Sequence, residues 1–209
     1  MMDIKKYDTW AIASHNKGKI SEIRDLLNAF PFTVKSASEF NLNEPEETGS
    51  TFAENALIKA RATTSETGYP SIADDSGLVV FALDGEPGIY SARWAGPSKN
   101  FSAGIFLIEK KLKEKKTIDF SAKFVCVLAL CFPNGEEKIF EGEVFGTLTF
   151  PPRGKNGFGY DPIFIADGMT QTYGEIAPQL KNAINHRARA FKKLKKFITT
   201  PPNTTVVIN

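Results

Sequence analysis

Residues 120–150 read FSAKFVCVLALCFPNGEEKIFEGEVFGTLTF. Two runs rich in β-branched and aromatic residues, Phe120 to Phe132 and Glu137 to Phe150, flank Pro133-Asn134-Gly135, a strong turn signal. The stretch therefore reads as one long β-hairpin. Upstream of it, strand and helix patterns alternate. Thr9 to Ser14 reads as a strand, and Lys19 to Ala29 as a helix with Ile20, Ile23, Leu26 and Leu27 on one face. Phe32 to Ser36 is a second strand. A helix is predicted from about Phe52 to Glu66, its start marked by Thr51 and Glu54 in capping-box spacing. A short strand, Ser71 to Ala73, runs into Asp74-Asp75-Ser76-Gly77. Leu78 to Ala82 reads as a further strand, followed by a turn over Gly85 to Gly88 and a helix around Ala103 to Lys115. After the hairpin come a loop (Pro151 to Gly159), a short strand (Ile163 to Ala166) and a last helix from His186 to about Ile198. Alternating strands and helices plus a long hairpin predict an α/β fold: an elongated, two-lobed mixed sheet flanked by helices, with a ligand cleft between the lobes.

Composition bounds this reading. The chain has 209 residues, 42% hydrophobic and 24% charged, enough for a sizeable core in a single two-lobed domain over residues 1–198. Residues 199–209, rich in Pro and Thr, read as a partly disordered tail. The apolar run Phe124 to Phe132 is nine residues long, far short of the roughly 20 a membrane span needs. The start, MMDIKKYDTW, lacks the apolar stretch of a secretory signal, so the expected location is the cytoplasm, with no membrane partner. Cys126 and Cys131, five apart in one strand, point to opposite faces, which argues against a mutual disulfide. Two histidines and two cysteines argue against a zinc site. The formal net charge of +2 is too mild to signal nucleic acid. It hides an uneven distribution. Glu39 to Ile58 carries five acidic residues and no basic one, and Lys181 to Lys196 seven basic and no acidic.

Five segments could carry chemistry. Ser14, His15, Asn16, Lys17, Gly18 and Lys19 sit between a strand and a helix. Free backbone N–H groups and lysines there suit a phosphate, or the segment is a polar turn capped by Asn16. It is not a Walker A loop, because Ala13 and Ile20 occupy positions where that pattern needs Gly and Ser or Thr. Asp74-Asp75 at a strand end could gather hard oxygens for Mg²⁺, or form a solvated turn. Placed mid-strand, the two would face opposite sides. Glu46-Glu47-Thr48-Gly49 offers another metal carboxylate or a solvated loop. Lys155 to Pro162 flanks Phe158 with glycines, which lets a backbone approach a planar ligand. Asp161 there could accept from base N–H groups. The alternative is a turn with buried aromatics. In Lys181 to Arg189, Asn185 is a good N-cap that sets His186 and Arg187 on a first helical turn, beside free donors.

In order along the chain, these segments resemble the inosine triphosphate pyrophosphatase family, the non-canonical purine nucleoside triphosphate pyrophosphatases. The match runs from Ala13 to about Leu194. Its most specific parts are Glu47-Thr48-Gly49 with Phe52 to Ala56 and Lys59-Ala60-Arg61, Ile72 to Leu78, Pro87 to Arg93, Gly157 to Phe164, and the His186-Arg187 pair. The resemblance implies a Mg²⁺-dependent homodimer that hydrolyses ITP, dITP and XTP to the monophosphate and pyrophosphate. It implies that Ser14 to Lys19 and Lys59 face the phosphates, and that Glu47, Asp74 and Asp75 serve the metal. Asp75 is then the proton acceptor for the attacking water. Ser76 contacts substrate, and Phe158, Gly159, Tyr160, Asp161, Lys181, His186 and Arg187 form the base pocket. Two departures stand out: Asn185 where the family usually has Ser, and Ala177-Pro178-Gln179 where it commonly carries acidic residues. The competing readings are a pyrophosphatase for modified pyrimidine nucleotides, and a non-catalytic nucleotide- or RNA-binding module using the basic helix and Phe158.

Overall fold

The computed structural model describes residues 6–199. A six-stranded mixed sheet has the order β2-β1-β3-β4-β5-β6. Its strands are β1 (Thr9–Ile12), β2 (Thr33–Ser36), β3 (Ser71–Val80), β4 (Ser121–Cys131), β5 (Glu137–Leu148) and β6 (Phe164–Ala166). β1 lies parallel to β2 and β3, and the remaining pairings are antiparallel. The expected hairpin is β4–β5, in continuous register from Ser121↔Thr147 to Cys131↔Glu137. Five helices flank the sheet: α1 (Lys17–Leu27), α2 (Phe52–Thr67), α3 (Phe101–Glu114), α4 (Pro178–Ile184) and α5 (His186–Thr199). The anticipated tail lies outside the described residues apart from Thr199, which ends α5.

The main correction concerns β3. The sequence suggested two short strands broken by a turn at Asp74 to Gly77. β3 instead runs unbroken, paired with β4 from Ser71↔Cys131 to Val80↔Ala122. The full-length partner keeps this polar stretch extended. Gly77, the supposed turn former, serves close approach: a Cβ there would run into the Gly88 carbonyl and the Ser91 hydroxyl. The second surprise is α4, absent from the sequence reading. Its first residue is Pro178, a favoured start because its missing N–H is unused there.

Helix ends follow local chemistry. Asn16 caps α1, its Oδ1 accepting from Lys19 N at 3.2 Å. The Thr51/Glu54 box closes as predicted, with Glu54 N donating to Thr51 Oγ1 at 3.1 Å and Thr51 N to Glu54 Oε2 at 3.2 Å. The three long strands run through both lobes. In one lobe, α1 and α5 cover one face with Trp10, Ile12, Ile23, Ile72, Leu128 and Leu194. On the opposite face, Ala56 and Ala60 of α2 pack on Ala73, Val127 and Ala129. In the other lobe, Leu78, Val80, Phe124, Val144 and Phe164 pack on Ile105, Ile108 and Leu112 of α3. Cys126 and Cys131 are free and buried, each in a different cluster on opposite sides of the sheet.

Candidate active site

A cleft of about 730 Å³ opens where the lobes meet. Because β3 passes through it fully extended, Asp74 and Asp75 turn to opposite faces, and each gathers its own partners.

On the α2 side, Lys59 donates to Asp75 Oδ1 (3.2 Å) and to Glu47 Oε1 (2.5 Å). Burial works against the charge on Lys59, but Asp75 and Glu47 outweigh it and hold its pKa above the ordinary value. Burial also opposes ionisation of Glu47, and here Lys59 wins, so Glu47 titrates low. Asp75 is the exception. Burial is its largest influence and pushes its carboxyl up, with Glu47 and Asp74 adding to the shift and Lys19 and Lys59 opposing it. Its Oδ2 is buried with no hydrogen-bond partner.

On the α5 side, Asp74 is almost fully buried (1% exposed), and both its oxygens are occupied. Oδ1 meets Lys19 Nζ at 2.6 Å and accepts from Ser76 Oγ at 2.7 Å. Oδ2 accepts from Arg187 Nε at 2.8 Å and from the Cys126 thiol at 3.1 Å. Burial opposes its charge, but Arg187 and Lys19 hold its carboxyl well below the usual range. Two adjacent carboxylates are thus driven apart in acidity by environment alone, the signature of different roles.

Arg187 is 1% exposed. Besides Asp74 it donates to Ser76 Oγ (3.1 Å) and to Glu22 Oε2. Lys181 bridges Glu22 Oε1 (3.2 Å) and Asp161 Oδ2 (2.6 Å), its ammonium lying 4.4 Å from the centroid of Phe158. Asp161 Oδ2 also accepts from Phe158 N at 2.7 Å, so this carboxylate shapes the Phe158 loop. Burial pushes its pKa up against the pull of Lys181. His186 stacks on Phe124, with centroids 4.8 Å apart and planes at 14°. Burial, reinforced by Arg187, holds its pKa well below the usual value, so the ring is neutral. Its Nδ1 is buried without a partner.

The cleft is lined by Ser14, Asn16, Lys19, Glu47, Lys59, Asp74, Asp75, Ser76, Phe158, Gly159, Tyr160, Asp161, Lys181, His186 and Arg187. Three of the residues expected to face phosphate sit elsewhere. His15 Nε2 donates to the Leu42 carbonyl at 2.8 Å, Lys17 borders a separate shallow pocket with Arg24 and Glu39, and Gly18 lies under the Phe158 ring, where a Cβ would come within 3.0 Å. Tyr160 donates its hydroxyl to the Ser91 carbonyl at 2.8 Å and meets Phe101 edge-on; it braces the cleft wall.

The sequence reading missed Glu22. It sits on α1 and is 7% exposed, yet its partners are 159 to 165 residues away. Its one sequence signal is a carboxylate between Ile20 and Ile23 on a helix whose neighbouring positions face the core. Arg93 was also unassigned; its Nη2 donates to the Glu47 carbonyl at 2.8 Å and steadies the loop that presents Glu47.

The two carboxylates around Lys59 fit a divalent cation. Asp75 Oδ2 is an orphan acceptor, and hard carboxylate oxygens in small number suit Mg²⁺. Asp74 does not join them, since its oxygens are already paired. Among the described residues, no group of three or more His, Cys, Asp or Glu side chains is arranged as a metal site.

The profile of the Ham1 family matches residues 10–197. The chain is 55% identical over 188 residues to the dITP/XTP pyrophosphatase of Rhodospirillum centenum, covering 90% of this chain and 93% of that protein. It is 50% identical over 206 residues to the protein of the same name from Agrobacterium fabrum, covering 91% and 96%. Among solved structures, a HAM1 protein from Coxiella burnetii superposes with a TM-score of 0.85 at 41% identity, covering 91% of this chain and 98% of that one.

Proposed function

Because the chain belongs to the Ham1 family, we propose that it hydrolyses non-canonical purine nucleoside triphosphates (ITP, dITP and XTP) to the monophosphate and pyrophosphate. The names of its relatives support the substrate class. The observation that carries the chemistry is Asp75: a buried carboxylate with one unpartnered oxygen and a raised pKa, held at its other oxygen by Lys59.

Asp75 takes the proton from a water. The water oxygen bonds to the α-phosphorus, and the bond from that phosphorus to the bridging oxygen breaks, releasing pyrophosphate. The protein contributes chiefly position and charge. Lys19 and Lys59 face the phosphates, and Asn16 aims the α1 N-terminus at them. Glu47 and Asp75 would hold Mg²⁺, which when bound neutralises charge on the triphosphate. At the other end of the cleft, neutral His186, the unpaired N–H groups of Arg187 and Lys181 receive the 6-keto purine, and Phe158 supplies a stacking face. ATP's 6-amino group leaves these donors unpaired, at a cost of about 1–3 kcal/mol per buried group. The reading includes a homodimer, carried over from the resemblance, and a cytoplasmic location. No helix among the described residues is long and apolar enough to cross a membrane.

The test is product release from a nucleotide panel, with and without Mg²⁺. ITP, dITP and XTP should give pyrophosphate, and ATP little. Turnover of modified pyrimidine nucleotides alone would favour the rival enzyme class; orthophosphate as product would overturn attack at the α-phosphorus. Asp75→Asn should lower kcat by at least about 10²-fold, in the range for loss of a general base, with KM for ITP little changed. Wild-type turnover in that variant sinks the base assignment. Light scattering that gives a mass of one chain would remove the dimer.

A further inference from the structure

α4 and α5 meet at a single residue. Asn185 is the C-cap of α4, with extended backbone (φ −69°, ψ 173°), and α5 begins at His186. The base-reading side chains lie on both sides of this corner: Lys181 on α4, His186 and Arg187 on α5. Whatever sets the angle at residue 185 sets their mutual aim.

Asn185 is 1% exposed, and both ends of its amide are used. Oδ1 accepts from Ala188 N at 2.8 Å, capping α5. Nδ2 donates to Glu22 Oε2 at 3.3 Å. That oxygen also takes Arg187 Nη1, and its twin takes Lys181 Nζ. Glu22 therefore receives three donors, all from residues 181–187, and Asn185 is the one that also caps α5. The backbone repeats the theme: Asn185 N donates to the Lys181 carbonyl, and Arg189 N to the Asn185 carbonyl. A side chain that only capped would fix the start of α5 and leave the tie between the corner and α1 to the long, flexible side chains of Lys181 and Arg187. The second contact ties the corner to the helix whose N-terminus faces the phosphates.

We propose that Asn185 is a positioning residue for base recognition, holding Lys181, His186 and Arg187 in one arrangement by capping α5 and tethering it to Glu22. It touches no substrate and acts through Glu22 and the corner. The proposal builds on the nucleotide reading above, and its test separates the two.

Asn185→Asp is the informative variant. Asp caps about as well as Asn, so α5 should still start at residue 186. The amide donor facing Glu22 becomes a carboxylate oxygen, and attraction becomes repulsion. Calorimetric titration with IMP and with AMP reads base recognition without turnover. Wild type should prefer IMP. Asn185→Asp should weaken IMP at least about tenfold, the scale of losing one hydrogen bond to a charged group, and leave AMP nearly unchanged. In turnover, KM for ITP should rise in step while kcat stays within about twofold, the pattern of lost binding with intact chemistry. Adding Glu22→Gln to the Asp variant supplies an amide donor to the new carboxylate and should recover part of the IMP preference relative to Glu22→Gln alone. If Asn185→Asp does not fold, Asn185→Ser, which keeps a cap but has no amide to reach Glu22, takes its place with the same expectation at smaller size.

An IMP-to-AMP ratio equal to wild type in the folded variant overturns the proposal. So does a fall in kcat or melting temperature with the ratio intact, which would make Asn185 merely structural. A wild type without preference for IMP overturns it as well. A wild type that binds IMP over AMP but releases no pyrophosphate from ITP overturns the hydrolysis reading and leaves the Asn185 result standing.

Discussion

Asp74 and Asp75 are joined by one peptide bond and carry the same side chain, yet their acidities move in opposite directions. Burial opposes ionisation in both. Paired cations on both oxygens overcome it at Asp74, whereas at Asp75 Lys59 reaches only one oxygen. Lys59→Met tests this balance. It removes the cation shared by Asp75 and Glu47 and leaves a buried and a half-buried carboxylate without the charge between them, so Asp75 should shift further up. The acidic limb of the kcat/KM–pH profile should move to higher pH, and kcat should fall by about 10²-fold, the scale for losing one preorganised charge-stabilising group. An unchanged acidic limb would mean that Lys59 does not control Asp75. At this scale the sequence was informative where motifs are local. Asp74, Asp75 and the His186-Arg187 pair, candidates from their neighbouring residues, and Lys59, implied by the resemblance, all line the cleft. Glu22 could not be read, because its partners lie at the other end of the chain and no spacing rule joins them. His15 and Lys17 failed differently: their neighbours in sequence line the cleft, but a helix start turns successive side chains in different directions.

Among the elements, β3 shows why turn-forming composition misled. Asp, Ser and Gly favour turns in isolation, but a full-length antiparallel partner satisfies the backbone of Asp74 to Gly77 and overrides that preference. α4 was missed because seven residues give too few turns for a periodicity to emerge. α5 was found because its apolar positions Phe191, Leu194 and Ile198 recur at helical spacing; the first two are buried and Ile198 packs against the same cluster. The seat of α5 on the sheet depends on Gly142 of β5, where a Cβ would run into the His186 carbonyl and the Ala190 amide. Gly142→Ala should therefore destabilise the fold by about 1–3 kcal/mol, as overpacking does, and displace the helix start that carries His186. The urea midpoint should drop, and KM for ITP should rise. A variant as stable as wild type would show that α5 can lift without consequence.

Across the whole molecule, the buried charges of the cleft tie stability to pH. His186 is held neutral in the folded state with its pKa well below the ordinary 6.5. Below that value the unfolded chain takes up a proton that the folded one refuses, so stability falls as pH drops through and below about 6.5. Asp74 adds a second loss further down. Its folded pKa lies well below the ordinary 3.8, so the stability it contributes is complete above that value and disappears as pH falls toward the folded one. Urea unfolding should give a lower free energy at pH 5.5 than at pH 7.5, and His186→Gln should flatten the slope between them. An equal slope in the variant would assign the acid sensitivity to another group. The net charge of +2 foretold none of this, because the acidic and basic stretches it sums over meet inside the cleft.

The unbroken pairing of β3 with β4 has a further consequence. Side chains along a strand alternate in facing, so a slip of one residue between these two strands would exchange their sides. A slip that brought Asp75 before Arg187 would bring Ser76 before Lys59, and the opposite slip would bring Asp74 before Lys59 and Ala73 before Arg187. Either slip would leave one of the two cations without its carboxylate. The division of labour in this site is thus a matter of parity, odd against even along one strand. It closes the ten residues from Ser71 to Val80 to any single insertion or deletion.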